Sequence, residues 1–226
     1  MNPIKAIPLS CFVLKKLLTY GTTGANITTI ASAHTLDAMC FLLGEFSTLT
    51  AQTKLSFPVI ITPFIDGPVT RDSPDGLAVQ GELESGTVVT FHMFSATHAT
   101  KPSFTWTITG EKGALRFEGS FINMQMEPPK LYWQKGSEQG FGANMKEASV
   151  MDFMMSDSKS TGEVWELVEV ENPMAYGQVG ELYEAFAKGE KIKGSLVDFE
   201  GAALRHRMLE ACFKSSRDGT RETYRK

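Results

Sequence analysis

The 226-residue chain is poor in the residues that usually announce a chemistry. Its three cysteines, Cys11, Cys40 and Cys212, are odd in number and far apart. They form neither a zinc pattern nor a disulfide framework, and read as reduced, mostly buried thiols. The four histidines never fall into His-x-x-x-His, so no metal site is expected. Gly-Lys does not occur, which excludes the Walker A loop, and there is no Gly-x-Ser-x-Gly elbow. Gly140-Phe141-Gly142 begins like a dinucleotide-binding turn, but Met145 takes the third glycine's place and no helix signal follows. No apolar run is long enough to span a bilayer, so no membrane partner is expected. The net charge is only −4 and the basic residues are scattered, which argues against direct nucleic-acid binding.

The N-terminus, MNPIKAIPLSCFVLKKLL, has a lysine and a short apolar run like a weak signal peptide. Lys15 and Lys16 then stand where small residues would mark a cleavage site. The expected location is therefore the cytoplasm, or the nucleus. The sequon Asn26-Ile27-Thr28 matters only in a secreted chain.

What is present is a change of hydrophobic period. After an irregular segment, residues 1–23, a helix is expected from about Ala33, with Leu36, Met39, Cys40 and Leu43 on one side and Gly44 ending it. From Ser47 to about Val170 the period is two. Val79, Gly81 and Leu83 alternate with Gln80 and Glu82, turn at Glu84-Ser85-Gly86, and return through Val89, Phe91 and Met93. Phe104, Trp106 and Ile108 repeat the design across Gly110-Glu111-Lys112-Gly113 into Leu115 and Phe117. Leu131-Tyr132-Trp133 and Val164 to Val170 are further strands. Lys135 to Glu163 is aperiodic and reads as a lid, a partner-binding segment or an excursion. Asn172-Pro173 opens a helix with the stripe Tyr176, Val179, Tyr183 and Phe186, stopped by Gly189. Ser195 is the expected cap of a last helix carrying Val197, Gly201, Leu204, Met208 and Cys212, which Arg217-Asp218-Gly219 ends.

This order predicts an α+β fold: a large, predominantly antiparallel β-sheet with helices packed on one face and no Rossmann domain. If the other sheet face is apolar, a second copy of the chain should cover it. Trp106 and Tyr176 fit a pocket or, as aromatic stripes more often do, the core.

The only pair that suggests chemistry is His34 and Asp37, three residues apart near the start of the first helix and so on one helix face. An imidazole there is suited to proton transfer. Read from the residues alone, the favoured account is structural: His34 caps the helix and Asp37 suits the N-terminal end of the helix dipole.

Three stretches together carry a resemblance: GANITTIASAHTLDAMCFLLGEF, then FTWTITGEKGALRF, then YGQVGELYEAFAKGE followed by VDFEGAALRHRMLEACFKSSRDG. They resemble the C-terminal domain of the glucose–fructose oxidoreductase / inositol dehydrogenase family (Gfo/Idh/MocA), and more closely the fungal branch that includes the galactose-regulon repressor. The likeness runs from about Gly24 to Gly219 and implies that residues 24–226 form the substrate and oligomerisation domain. Full-length members pair this domain with an N-terminal Rossmann domain that binds NAD or NADP and carries a Glu-Lys-Pro segment. Neither is found here, so no cofactor is expected on this chain alone. His34 aligns with a family histidine. The Asp that commonly stands four residues earlier is Ile30 here, and the frequent preceding Gly is Ala33. His34 and Asp37 thus read as half a substrate site. The resemblance implies a truncated NAD(P)-dependent oxidoreductase-like protein, not catalytic alone and homo-oligomeric through its open sheet. The alternatives are a galactose-repressor-like regulator binding a transcription-factor segment and a self-associating domain without a ligand.

Overall fold

A computed structural model describes residues 26, 28–61, 67–94, 104–120, 129–136, 165–170, 177–189 and 198–225. The chain divides into two compact units: Met1–His98 with Lys193–Lys226, and Ala99–Ile192. The first holds a π-helical turn Thr28–Ser32, α1 (Ala33–Leu43), β1 (Phe46–Lys54), β2 (Val59–Ile61), β3 (Pro68–Thr70), β4 (Gly76–Leu83), β5 (Val88–Phe94) and, from the far end of the chain, α3 (Phe199–Asp218). The second holds β6 (Phe104–Gly110), β7 (Gly113–Gly119), β8 (Lys130–Lys135), β9 (Glu166–Val168) and α2 (Gly177–Lys188). The fold is the expected α+β class, with every recorded pairing antiparallel. The ladders are β1-β4-β5, β2-β3 and β6-β7-β8-β9.

Helix α1 forms where the period predicts. Leu36, Met39 and Cys40 are buried, and Gly44 ends the helix at φ 98°, its N–H donating to the Cys40 carbonyl at 2.9 Å. A residue with a side chain pays heavily for that φ, so glycine is the economical stop. The β4–β5 hairpin also follows the alternation: Leu77, Val79 and Leu83 are buried while Gln80 and Glu82 are exposed.

Strand β1 breaks the rule of two. Phe46 and Leu49 are both about 1% exposed although three residues apart. Strict alternation would put them on opposite faces. A bulge resolves the conflict: Phe46 opposes Leu83 and Thr48 opposes Glu82, so Ser47 is the extra residue. Phe46, Leu49, Leu77, Val79, Leu83 and Met93 then share the inner face. α3 packs on β1, and α1 on α3. Their buried residues, Met208, Leu209, Ala211 and Cys212 from α3, close the core. Fully burying side chains of this kind contributes on the order of 2 kcal/mol each.

The same sheet's outer face carries Thr50, Gln52, Gln80, Glu82, Thr90 and His92, all exposed. Val88 and Phe94 at the two ends of β5 are the exposed apolar residues on this mostly polar face. The apolar face lies in the second unit, where Trp106, Phe117, Leu131 and Val168 align across β6 to β9, all half-buried. The Trp106 and Phe117 rings stack at 5.1 Å. On α2, Tyr183 and Phe186 stand exposed, while Asn172, Pro173 and Tyr176 lie outside the described residues. So does the expected excursion from residue 137 onward.

The free edge of β1 is sealed by α3 and the residues after it. Leu49 exchanges both backbone hydrogen bonds with Glu222, at 3.0 and 2.8 Å. Ala51 N–H donates to Ser215 Oγ and Thr53 N–H to Ser216 Oγ, each at 2.8 Å. Unpaired edge amides invite strand addition by other chains, and here hydroxyl groups occupy them. One last correction concerns α3. Its cap is Asp198, whose carboxylate accepts from Gly201 N–H at 2.8 Å. Asp198 is the last extended residue before the helix, with ψ 179°, and only there can a side chain reach the first free amides. Ser195 lies outside the described residues.

The bulge leaves Gly81 with no room. A Cβ there meets the Thr48 carbonyl oxygen and comes within 2.8 Å of Phe46 Cδ1. Gly81→Ala should therefore cost about 2 kcal/mol through overpacking against backbone. A thermal melt should show a drop of about 6 °C; an unchanged midpoint would show that the bulge yields.

Candidate functional site

On α1, Asp37 is half-buried. His34 is exposed. Ile30, one turn earlier in the π turn, is exposed as well, at the place where the resemblance implies an Asp. No hydrogen bond or ion pair joins His34 to Asp37 among the described residues. Asp37 turns instead to α3, where Arg205 Nε donates to its Oδ1 at 2.8 Å.

Arg205 is the centre of a polar cluster that sequence inspection missed. Its Nη2 donates to Glu45 Oε1 at 2.8 Å and its Nη1 to Glu45 Oε2 at 3.1 Å, a two-pronged pairing. Tyr224 OH donates to the same carboxylate at 2.5 Å and accepts from Phe46 N–H at 3.1 Å. One guanidinium thus ties α1, the entry to β1, α3 and the segment after α3. A signal was available. Arg205, Met208 and Cys212 share a stripe at i, i+3 and i+7, and a charge on a buried stripe demands a carboxylate partner.

The electrostatics follow from burial and pairing. Burial opposes the charged form of Glu45, but hydrogen bonds from Arg205 and Tyr224 outweigh it and hold the carboxyl below its ordinary value. Arg205 is raised by its pairing with Glu45, against the opposing effect of its own burial. Burial and the neighbouring Glu45 charge push the Cys40 thiol up to about 12, and burial does the same for Cys212. Both are free, buried and protonated at neutral pH, so neither is a nucleophile.

A second buried acid, Asp75, organises the loops beside the π turn. It accepts from Ser56 N–H at 2.8 Å and Phe57 N–H at 2.9 Å and pairs with Arg71. Burial opposes its ionisation, yet these donors hold its pKa down. Thr28 Oγ1 donates to the Pro74 carbonyl at 2.9 Å, which docks the π turn on the same loop. Asn26 is 2% exposed, with its Oδ1 accepting from Thr29 N–H. Among the described residues no three His, Cys, Asp or Glu side chains gather as metal ligands, and no helix is long and apolar enough to cross a membrane.

Residues 14–119 match the family model for the Gal80p C-terminal domain. Over those residues the chain is similar to the Gal80p C-terminal domain. Dehydrogenase aclE of Aspergillus oryzae is 34% identical over 209 residues, covering 90% of this chain and 50% of that protein. A super-repressor mutant of Gal80p from Saccharomyces cerevisiae superposes with a TM-score of 0.69 at 19% identity, covering 98% of this chain and 54% of that one. Levoglucosan dehydrogenase, solved with NADH and L-sorbose, superposes at 0.60 and 15% identity, covering 86% and 48%. At such identities the structural matches establish the fold. This Gal80p-like chain spans about half the length of the proteins it matches.

The starts of α1 and α3 do not fit the pyrophosphate of a dinucleotide. A pyrophosphate needs helix N-terminal amides that are free of competing anions. At α3 the Asp198 carboxylate already occupies Gly201 N–H, with Glu200 in the first turn. At the π turn leading into α1, Ile30 N–H is taken by the Asn26 carbonyl and Thr29 N–H by Asn26 Oδ1.

The cluster gives a direct test. Arg205→Ala leaves Glu45 and Asp37 facing each other without a cation and should cost about 3 kcal/mol, since the guanidinium and the Glu45 carboxylate are largely shielded. The pH dependence has a definite sign. Glu45 and Asp75 have folded-state pKa values below their ordinary 4.5 and 3.8. The native state therefore binds fewer protons than the unfolded chain. The stability they confer is present above those ordinary values and is lost as the pH falls through the folded-state values. Urea midpoints should decline with acidification from about pH 6 to pH 3, and Glu45→Gln should flatten part of that slope. A wild-type midpoint independent of pH would contradict the depressed values.

Proposed function

We propose that residues 24–226 are the substrate-side and oligomerisation domain of an NAD(P)-dependent oxidoreductase-like protein, inert in hydride transfer on its own, with 1–23 an irregular lead segment. The observation that carries this reading is the 34% identity to dehydrogenase aclE across 90% of the chain. His34 is the residue that lines the ancestral substrate pocket, and Asp37 flanks it. The exposure of His34 on a helix tied down by Arg205 supports that role, because a group meant to meet a substrate must be accessible yet held in place. Hydride transfer requires a nicotinamide held against the substrate, and positioning supplies much of the rate. Neither the sequence motifs nor the starts of α1 and α3 offer a cradle for the pyrophosphate.

Self-association belongs to the same reading, supported by the half-buried apolar face of β6 to β9. So does a cytoplasmic or nuclear location. A second reading, a regulator of the Gal80p kind that holds a segment of a transcription factor, is favoured by the family match and by Ile30 in the place of an acid.

Titration of the chain with NADH or NADPH, followed by nucleotide fluorescence, should show no saturable binding up to about 100 μM, well above the micromolar range in which a built site binds. Saturation in the micromolar range would overturn the proposal. An immobilised acidic activation-segment peptide separates the two readings: the oxidoreductase reading expects no retention at high micromolar peptide, and the regulatory reading expects capture.

A further inference from the structure

Arg116 is the exception on β7. Its neighbours Leu115 and Phe117 align with Ile108, Trp106, Trp133 and Leu131 on the apolar face. Arg116 projects to the other face, in register with Thr107 and Tyr132. Its guanidinium carbon lies 4.1 Å from the centre of the Trp165 ring and 5.5 Å from that of Tyr132. Two aromatic contacts at these distances attract the cation and restrain the side chain. Glu118 Oε1 is 2.9 Å from Nε, yet Nε makes no hydrogen bond, so the two are paired by charge without a directed N–H contact. Among the described residues neither terminal nitrogen donates a hydrogen bond. The side chain remains 28% exposed, and Lys130, exposed and opposite Glu118 in register, adds a second positive charge to this face.

We propose that Arg116, clamped between Trp165 and Tyr132, binds the carboxylate or phosphate group of a small ligand. The chemistry is that of the guanidinium fork. Its two outer N–H groups match two oxygens of an oxyanion, and stacking has already removed most of the rotamer freedom that binding would otherwise cost. A merely structural stack uses the charge and the faces of the guanidinium and has no use for its free edge. The two roles part at Glu118. For a structural Arg116, Glu118 is a supporting partner. For a binding Arg116 it is an intramolecular competitor that an incoming anion must outbid.

The test titrates the full chain with sodium acetate and with sodium phosphate, using sodium chloride at matched ionic strength as the reference. Calorimetry and tryptophan fluorescence are the readouts, since Trp165 touches the guanidinium while Trp106 and Trp133 lie on the opposite face. The expected result is a saturable response to acetate, to phosphate or to both, and none to chloride; which anion saturates assigns the group. Arg116→Gln should abolish the response, and Arg116→Lys, which keeps the charge and loses the fork, should weaken it about tenfold. Glu118→Gln should tighten binding several-fold. If Arg116→Gln fails to fold, the Lys and Glu118→Gln variants decide the matter. No saturation with the wild type, an equal response to chloride, or an unchanged affinity in Glu118→Gln would each overturn the proposal.

Discussion

The Arg205 guanidinium is the constraint on which the first unit depends. It is nearly enclosed, and taking such a charge out of water costs several kcal/mol unless it is fully paired. Asp37 and Glu45 supply the pairing, and Tyr224, far along the chain, donates to the Glu45 carboxylate. Because each partner belongs to a different element, the demand for satisfaction also sets where those elements sit. α1 cannot turn about its axis without losing Asp37, and the segment after α3 cannot lift without taking Tyr224 from both Glu45 and Phe46. Specificity of arrangement, more than net stabilisation, is what such a cluster contributes.

That arrangement bears on function through α1. Asp37, first read as a partner of His34, is engaged by α3, and His34 is left presented on a helix whose orientation is set. The Gal80p-like fold therefore presents the His34 imidazole on a tethered α1, beside an Ile30 that brings no charge. Proton transfer to or from a substrate requires a positioned base, and hydride transfer requires a positioned nicotinamide. His34 is a residue type suited to the first, and the starts of α1 and α3 do not fit the pyrophosphate that would come with the second.

Much of the fold was legible because period and turn chemistry are local. The β4–β5 and β6–β7 hairpins, the glycine stops at Gly44, Gly189 and Gly219, and the buried stripe of α1 follow from side-chain alternation and positive-φ economy. Three features were not legible, each for a physical reason. The bulge at Ser47 is a tertiary solution to burying both Phe46 and Leu49, which alternation alone forbids. The shift of the cap to Asp198 depends on which residue before the helix is still extended, a matter of backbone angle. The Arg205 cluster joins residues about 160 apart in sequence, and single-sequence patterns carry no information about such pairs. Asp37 shows the consequence: proximity at i, i+3 suggested a pair with His34, while a stronger, distant cation took the carboxylate.

Amide hydrogen exchange tests most directly whether α1, β1, α3 and the Tyr224 segment behave as one unit. The amides of Phe46, Leu49, Ala51 and Thr53 all depend on α3 or the residues beyond it. They should exchange with one opening free energy, shared with Leu36 and Met39 of α1 and equal to that of global unfolding. Rapid exchange at Phe46 and Leu49 while α1 stays protected would show that the Tyr224 segment frays independently, and the account of Arg205 as the organising centre would be wrong.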